Sequence, residues 1–428
     1  MHSAHGRICR VALVALSLAA AGPGGGPVAA QVADTDRPIS PAVETIFTVG
    51  VVEGAAWEMF GHISDVTFDA DGTLFILDDL AGHIVVIDSA GDFVRTISRN
   101  GEGPGELGQP IALVVFRDGR IGVNDLAKRG LQLFSRDGDF LDAVPFSVAE
   151  GMPGSPTYAL PDHSLLSPEL IGVSVSTMIG ADEGRPITRF RLDGTRKVFY
   201  AAWDDPPPAA LESGARERVA RVVASPMEAF RPPLSLGVLR DGRIALVDSI
   251  GYRIKLLDSS GRVMDVLERP LTPIGVTEQV RTAERARRIA ALRSQDGSVP
   301  VSVQQVGGRP GDVSPEAMRD AMREAMRRAE DRIRAMIFPE EIPVIASIAV
   351  DRSDRIWVQR TALAGETGPT DVLTADGRYL GTIPSDGLRI PAAFGPDGLL
   401  AYVERDDFDV QRVRVIRLAD GRLLESGR

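Results

Sequence analysis

The chain repeats one pattern of turns and β-rich runs between residues 63 and 146. The glycines at positions 72 and 119 lie 47 residues apart, and the glycines at positions 91 and 138 have the same spacing. Each copy contains four short β-rich runs separated by turn residues. This pattern is typical of one four-stranded blade of a β-propeller, so the repeat predicts an all-β propeller fold.

Two series of turns predict the number of blades. Asp-Gly pairs favour tight hairpins, because these turns need a positive φ that glycine adopts without steric strain. A turn after the first strand of each blade is expected at Gly72, Gly119, His163, Gly242, Asp354 and Gly398. A turn after the third strand is expected at Gly91, Gly138, Gly194, Gly261, Gly377 and Gly421. Both series have six members, so we predict a six-bladed β-propeller.

The ring needs a closing strand, because its first and last strands would otherwise expose unpaired edges. The β-rich run Thr45–Val51 has no hairpin partner beside it and is predicted to complete the last blade. Residues 31–44 precede this run and are expected to be a flexible leader. The propeller is therefore predicted to span residues 45–428.

A helical insertion is predicted at residues 275–340, between blades four and five. Thr277–Ser294 is charged and helical in period, and a second helix is expected from Pro315 to about Ile337. Ser314 followed by proline at the first helical position is a typical start of such a helix.

The second predicted helix carries an apolar stripe that includes Met318, Met322 and Met326. Methionine-rich stripes can serve as adaptable binding surfaces, and they can equally pack on their own domain. We therefore regard the three methionines as candidate binding residues. We also hypothesise that the helical pair is a lid over the mouth of the propeller channel.

Residues 1–30 are predicted to be a secretory signal peptide. His2, Arg7 and Arg10 form a positive start, residues 11–21 are an apolar run, and Val28–Ala30 fits a small-residue cleavage site. Cleavage would remove the single cysteine, so the mature chain could form no disulfide. This suits a periplasmic or secreted protein whose core is large enough to be stable without one.

The charge of the chain argues against one class of partner. The formal net charge is −11, whereas proteins that bind nucleic acids are usually basic, so we predict no nucleic-acid partner. No stretch after the signal peptide approaches the ~20 apolar residues that a membrane-spanning helix needs, so no membrane span is predicted.

Three segments resemble the six-bladed propellers that are built from NHL-type repeats. They are Asp78–Ile84, Asp248–Ile254 and Asn100–Pro110. In that family an acid, a turn and an Arg-Ile pair lead into the third strand, and a Gly-Pro-Gly joint links two blades. The resemblance implies the six-bladed fold over roughly residues 45–425. It leaves the function open, because this architecture occurs in lyases, lactonases and interaction modules.

Charged residues recur at one position of the predicted blades, six residues after the first turn. They are Asp78, Asp125, Glu169, Asp248, Arg360 and Glu404. Oxygen ligands from such a ring could hold a divalent cation such as calcium. Alternatively, each acid accepts backbone N–H groups where the second strand turns into the third. Any ligand site is expected on this upper rim, which also carries the loops between blades and faces away from the Asp-Gly turns.

The sequence contains no recognisable catalytic constellation. No Gly-x-Ser-x-Gly motif occurs, and only His62, His83 and His163 follow the signal peptide. We predict no catalytic residues and no cofactor, apart from the calcium considered above.

The predicted function is an exported, non-enzymatic binding or scaffolding propeller that recognises a protein, peptide or glycan on its upper rim. The alternative is a metal-assisted hydrolase or lyase of the propeller lactonase type. In that alternative, Asp78, Asp125 and Asp248 would contribute to a calcium site near the channel mouth.

Overall fold

The structure is a computed structural model. It describes residues 29–31, 35–147, 150–171, 185–202, 227–294, 315–363, 365–406 and 408–419. The predicted signal peptide lies outside these residues except for its last two positions. The predicted turn at Gly421 and the cap residue Ser314 also lie outside them.

Six sheets, each with four antiparallel strands, form the predicted six blades, and the sheet of blade four gains a short fifth strand in parallel at its edge. The strands of blade one are Ile63–Phe68, Leu74–Asp78, His83–Ile87 and Phe93–Ile97. Those of blade two are Pro110–Val115, Ile121–Asp125, Gly130–Phe134 and Phe140–Pro145. Those of blade three are Tyr158–Ala159, Leu165–Ser167, Arg185–Phe190 and Arg196–Ala202.

The remaining three blades are built in the same way. The strands of blade four are Ser235–Val238, Ile244–Val247, Arg253–Leu257 and Val263–Glu268. Those of blade five are Ile345–Val350, Arg355–Arg360, Thr370–Thr374 and Tyr379–Ile383. Those of blade six are Ala393–Phe394, Leu399–Arg405, Gln411–Leu418 and the N-terminal strand Val43–Val49.

Among the described residues, five short strands lie outside the four-stranded blades or at their edges. Ala29–Gln31 runs parallel to the outer strand of blade four. Met152–Pro153 pairs with Leu170–Ile171 near blade three, and Ile274–Gly275 pairs with Glu341–Ile342 at the base of the helical insertion.

Positive φ values occur at the predicted turn positions. After the first strands, φ is between 59° and 89° at Gly72, Gly119, His163, Gly242, Asp354 and Gly398. After the third strands, φ is between 82° and 99° at Gly91, Gly138, Gly194, Gly261 and Gly377. Even the non-glycine turn residues His163 and Asp354 therefore adopt the backbone conformation of the glycines at the equivalent sites.

The ring closes through pairing of the two ends of the described chain. Val43–Val49 lies antiparallel to Gln411–Leu418 and forms the outer strand of blade six. This pairing confirms that the run around Thr45–Val51 completes the last blade, although the strand begins and ends two residues earlier than predicted. It also removes the unpaired edges that an open ring would present.

The segment predicted to be a flexible leader, residues 31–44, contacts blades four and five in the part that the structure describes. The amide of Ile39 donates to the carbonyl of Thr382 at 2.9 Å, and the amide of Thr382 donates to the carbonyl of Arg37 at 2.8 Å. Asp36 forms ion pairs with Arg269 at 2.9 Å and Arg360 at 2.6 Å. Backbone hydrogen bonds and buried arginines therefore fix this segment along the outer strand of blade five.

Six hydrophobic clusters fill the six interfaces between neighbouring blades. Blade one, for example, contributes Ile76 to the interface with blade six and Phe75 to the interface with blade two. Adjacent positions of one strand face opposite sides of a sheet. Every blade therefore buries apolar side chains on both faces, and the ring is stabilised by contacts between blades all the way around.

The helical insertion consists of α1, Glu278–Ser294, and α2, Pro315–Arg334. The insertion lies between the two predicted sheets, which end at Val263–Glu268 and begin at Ile345–Val350. If the blade that contains the N-terminal strand is counted as the first, these two sheets are the fifth and sixth blades rather than the fourth and fifth. The two helices contact each other, and the segment after α2 buries Met336 near Phe230. Within the described residues, no helix is both long and apolar enough to span a bilayer.

Candidate functional site

A large cavity opens on the face of the ring that carries the Asp-Gly turns. Its volume is about 1130 Å³, and its walls come from the first turns of blades one, two, four, five and six. We call this face the hairpin face. The predicted site residues Asp78 and Asp125 lie at the other ends of the second strands, roughly 15–20 Å away at ~3.3 Å per residue. The cavity and the predicted upper-rim site are therefore at opposite ends of the ring.

Three arginines line this cavity from equivalent positions of the repeat. Arg117, Arg240 and Arg352 each come directly before the two residues that form the first turn of blades two, four and five. The same position holds alanine or proline in the other blades, at Ala70, Pro161 and Pro396. We call Arg117, Arg240 and Arg352 the arginine triad.

The triad reaches across the ring. Arg117 donates a side-chain hydrogen bond to the carbonyl of Arg240. Arg352 donates to the carbonyl of Phe68 at 2.6 Å and to the carbonyl of Phe394 at 3.1 Å. Burial lowers the pKa of the Arg352 guanidinium, the negative charge of Asp69 opposes this shift, and the charges of Arg117 and Arg240 lower the pKa further. The three cationic groups therefore lie close enough to repel one another.

Most other charged side chains around the cavity are paired. The pairs are Arg136 with Asp69 and Asp71, Arg355 with Asp351, Arg120 with Asp118, and Arg243 with Asp241. Asp354 accepts the backbone amide of Arg240 at 2.7 Å, and Asp397 lines the cavity at a positive φ of 51°. Within the described residues, the triad forms no ion pair with a carboxylate, so it differs from Arg136 and Arg355, which line the same cavity.

Asp78 and Asp125 bind backbone amides at the upper end of the second strands. Both are fully buried. The carboxylate of Asp78 accepts the amides of Gly61 at 2.7 Å, His62 at 3.2 Å and Ala81 at 2.9 Å.

Asp125 repeats these three bonds with the residues that lie 47 positions later. It accepts the amides of Gly108 at 2.7 Å, Gln109 at 3.1 Å and Lys128 at 3.0 Å. Both aspartates therefore accept backbone N–H groups where the second strand turns into the third, which is the alternative given in the sequence analysis. Whether they also contact a ligand stays a prediction.

The other predicted rim residues form ion pairs. Asp248 pairs with Lys255 at 2.8 Å, Glu404 with Arg414 at 2.6 Å, Glu169 with Arg185 at 3.3 Å, and Arg360 with Asp36 at 2.6 Å. Among the described residues, no three histidine, cysteine, aspartate or glutamate side chains are grouped so that they could hold a metal ion. The calcium hypothesis stays a prediction, and these side chains do not converge in the part of the chain that the structure describes.

The methionine stripe lies on α2, as predicted. Met322 and Met326 are partly buried, and the side chain of Met318 is outside the described part of the chain. None of the described side chains of α1 and α2 lines the hairpin-face cavity. The lid hypothesis is therefore not supported for that cavity.

Sequence reasoning missed Asp65, an acid on the innermost strand of blade one. Asp65 is partly buried and accepts the amides of Val66 at 2.8 Å and Leu113 at 2.9 Å, so it links blade one to blade two. Burial raises its pKa to about 6, although the two hydrogen bonds oppose this shift. No repeated acid marks the position, because the equivalent residue 47 positions later is Ala112.

This pKa shift predicts a pH dependence of stability. The folded state keeps the Asp65 proton between pH 3.8 and about 6, where the unfolded state has lost it. The contribution of Asp65 is therefore fully present below pH 3.8 and is lost as the pH rises through about 6. The variant Asp65→Asn has no carboxyl group to ionise, so its stability should not depend on this titration. Between pH 4 and pH 6.5 we expect the free energy of unfolding of the wild type to fall, relative to that of the variant, by up to about 3 kcal/mol. Urea unfolding at the two pH values measures the difference, and a constant difference would contradict the shift.

The first two blades match a known family model. Residues 58–142 match DUF5128, which is described as a 6-bladed beta-propeller. The chain is a six-bladed β-propeller. The match covers both copies of the repeat of 47 residues and agrees with the six sheets of the structure. A search of the curated proteins gives no match.

Solved structures are similar to the propeller at low sequence identity. A member of the DUF4221 family from Bacteroides vulgatus is 9% identical, with a TM-score of 0.45, over 89% of this chain and 99% of that chain. Virginiamycin B lyase from Staphylococcus aureus is 11% identical, with a TM-score of 0.35, over 82% and 79%. A gluconolactonase from Xanthomonas campestris is 13% identical, with a TM-score of 0.36, over 89% and 99%. These values assign no function to the propeller.

Proposed function

We propose that this propeller is an exported, non-enzymatic binding protein whose ligand lies in the hairpin-face cavity. The observation that carries the proposal is the cavity itself, about 1130 Å³ in volume and lined by turns from five blades. Ligand sites in proteins are typically concave, with a few polar groups that fix the orientation of the ligand. The proposed ligand class is that of the sequence analysis, a protein, peptide or glycan. The proposed binding site, however, is on the hairpin face rather than on the upper rim.

The bonding of the upper-rim residues supports this change of place. The oxygens of Asp78 and Asp125 are occupied by three backbone amides each, and Asp248 and Glu404 are paired with cations. The lactonase-type alternative required Asp78, Asp125 and Asp248 to contribute to one calcium site. Their present bonds give these acids structural roles, so we favour the binding function.

A matched pair of substitutions tests which face binds the ligand. Ala70 is exposed and lines the hairpin-face cavity, whereas Ala127 is exposed at the upper end of blade two. We expect Ala70→Trp to fill part of the cavity and to abolish binding to the best ligand in glycan and peptide arrays. We expect Ala127→Trp to retain wild-type binding.

If Ala127→Trp abolished binding and Ala70→Trp retained it, the ligand site would be on the upper rim and the proposed location in the cavity would be wrong. Turnover of the bound ligand by the wild type would instead show that the propeller is an enzyme. The melting temperature of each variant serves as the control for folding.

A further inference from the structure

We infer that the arginine triad binds an oxyanion group of the ligand, a carboxylate, sulfate or phosphate. The inference rests on the proposed function, since it names the chemistry of the ligand in the same cavity. The triad residues Arg117, Arg240 and Arg352 are provided by blades two, four and five at one position of the repeat.

The first argument is the cost of holding three like charges together. Arg352 lies within the electrostatic influence of both Arg117 and Arg240, and Asp69 offsets part of their repulsion. Within the described residues no carboxylate forms an ion pair with any of the three arginines. Like charges in a partly desolvated site repel each other more strongly than in water. A bound anion would offset this repulsion, whereas Arg136 and Arg355 in the same cavity already have aspartate partners.

The second argument is the number of hydrogen-bond donors. A guanidinium has five N–H donors in a planar arrangement that matches the oxygens of carboxylate, sulfate and phosphate groups. Arg352 uses two nitrogens for the carbonyls of Phe68 and Phe394, and Arg117 uses one for the carbonyl of Arg240. These carbonyl bonds position the side chains, and each guanidinium keeps donors for an anion.

The third argument concerns the rest of the ligand. Asp354 and Asp397 also line the cavity, and as carboxylates they accept hydrogen bonds and repel further negative charge. A ligand with one anionic group and several hydroxyls fits both features. A sugar acid or a sulfated or phosphorylated sugar has this chemistry, whereas a polyanion does not.

Isothermal titration of the full chain at low ionic strength tests the inference. The probes are sodium sulfate, sodium phosphate and sodium D-glucuronate, with D-glucose as the uncharged control. We expect at least one anion to bind with one-to-one stoichiometry and D-glucose to bind more weakly. Binding of glucuronate alone would identify a carboxylate ligand, and binding of sulfate or phosphate alone would identify a sulfate or phosphate group.

Arg240→Gln is the informative variant. Its backbone amide, which bonds to Asp354, is retained in the variant. Loss of one charged hydrogen-bonding group is expected to weaken anion binding by about tenfold or more. Arg253→Gln is the control, because Arg253 does not line the cavity and forms a partly exposed pair with Glu268 at 2.6 Å, and we expect it to change the affinity by less than about threefold. Arg117→Gln serves as a second triad variant if Arg240→Gln lowers the melting temperature.

Three results would overturn the inference: no anion binds the wild type, the triad and control variants weaken binding equally, or anion binding is unchanged in Ala70→Trp. If no anion binds but Ala70→Trp still abolishes glycan or peptide binding, the proposed function stands and the oxyanion site does not. If anion binding also persists unchanged in Ala70→Trp, both the oxyanion site and the placement in the cavity are wrong.

Discussion

Replacing Arg269 with methionine is expected to lower the free energy of unfolding by about 3–5 kcal/mol. The side chains of Arg269 and Asp371 are fully buried, and their Nη1 and Oδ2 atoms are 2.7 Å apart. Arg269 also pairs with Asp36, and its guanidinium lies 4.6 Å from the ring centre of Tyr379. Methionine would fill similar space but would leave Asp371 without its principal cation. The folded state is then destabilised because a buried carboxylate has no compensating charge.

Urea unfolding of the two proteins at pH 7 measures this effect. Arg253→Met is the matched control in the same blade, because Arg253 and Glu268 form a partly exposed pair at 2.6 Å that should contribute less than about 1 kcal/mol. Equal losses in the two variants would contradict the account of the buried network. The contribution of the N-terminal segment is measured by Asp36→Ala, which removes one of the carboxylates around Arg269.

Replacing Asp78 with alanine is expected to lower the free energy of unfolding by at least about 3 kcal/mol. The substitution removes three hydrogen bonds from backbone amides to a buried carboxylate, and a hydrogen bond to a charged group typically contributes about 1.5–3 kcal/mol. Asp125→Ala should have an equal effect within about 1 kcal/mol, because the second copy of the repeat makes the same three bonds.

Asp137→Ala is the control for these two variants. Asp137 is an aspartate whose side chain is 82% exposed and whose ion-pair partner Arg95 is 3.8 Å away. Its removal should change stability by less than about 0.5 kcal/mol. If Asp78→Ala instead left stability unchanged but abolished binding of calcium, the aspartate would be a metal ligand rather than a residue that fixes the loop.

The fold could be predicted because each blade repeats a local rule. A turn with positive φ strongly favours glycine or a short polar residue, and this preference is visible in the sequence without knowledge of contacts. The closing strand was also predictable, because a ring with open edges is unfavourable. The helices were predictable from their period and from Pro315 at the start of α2.

The leader and the cavity depend on contacts between residues far apart in the sequence. Asp36 pairs with Arg269 and Arg360, which lie more than 200 positions away in the sequence. Local composition does not reveal such partners, so the polar, proline-containing leader was predicted to be flexible. Asp65 has no repeated counterpart and was likewise missed.

The arginine triad had a signal that could have been found. Arginine precedes the first turn in three of the six blades, at positions 117, 240 and 352, as comparison of the aligned blades shows. The sequence analysis instead predicted the ligand site on the upper rim, because acids recur at the end of the second strand in several blades. Their repetition reflects a backbone role in Asp78 and Asp125, because a repeated fold repeats its loop-fixing residues.

The most direct test is the anomalous diffraction of crystals of the protein soaked in sodium selenate. Selenate has the shape and charge of sulfate, and selenium is located without reference to any assumed site. The account predicts the strongest anomalous peak in the hairpin-face cavity, within hydrogen-bonding reach of Arg117, Arg240 and Arg352. A cavity without selenium, with peaks only at other arginines of the surface, would contradict it.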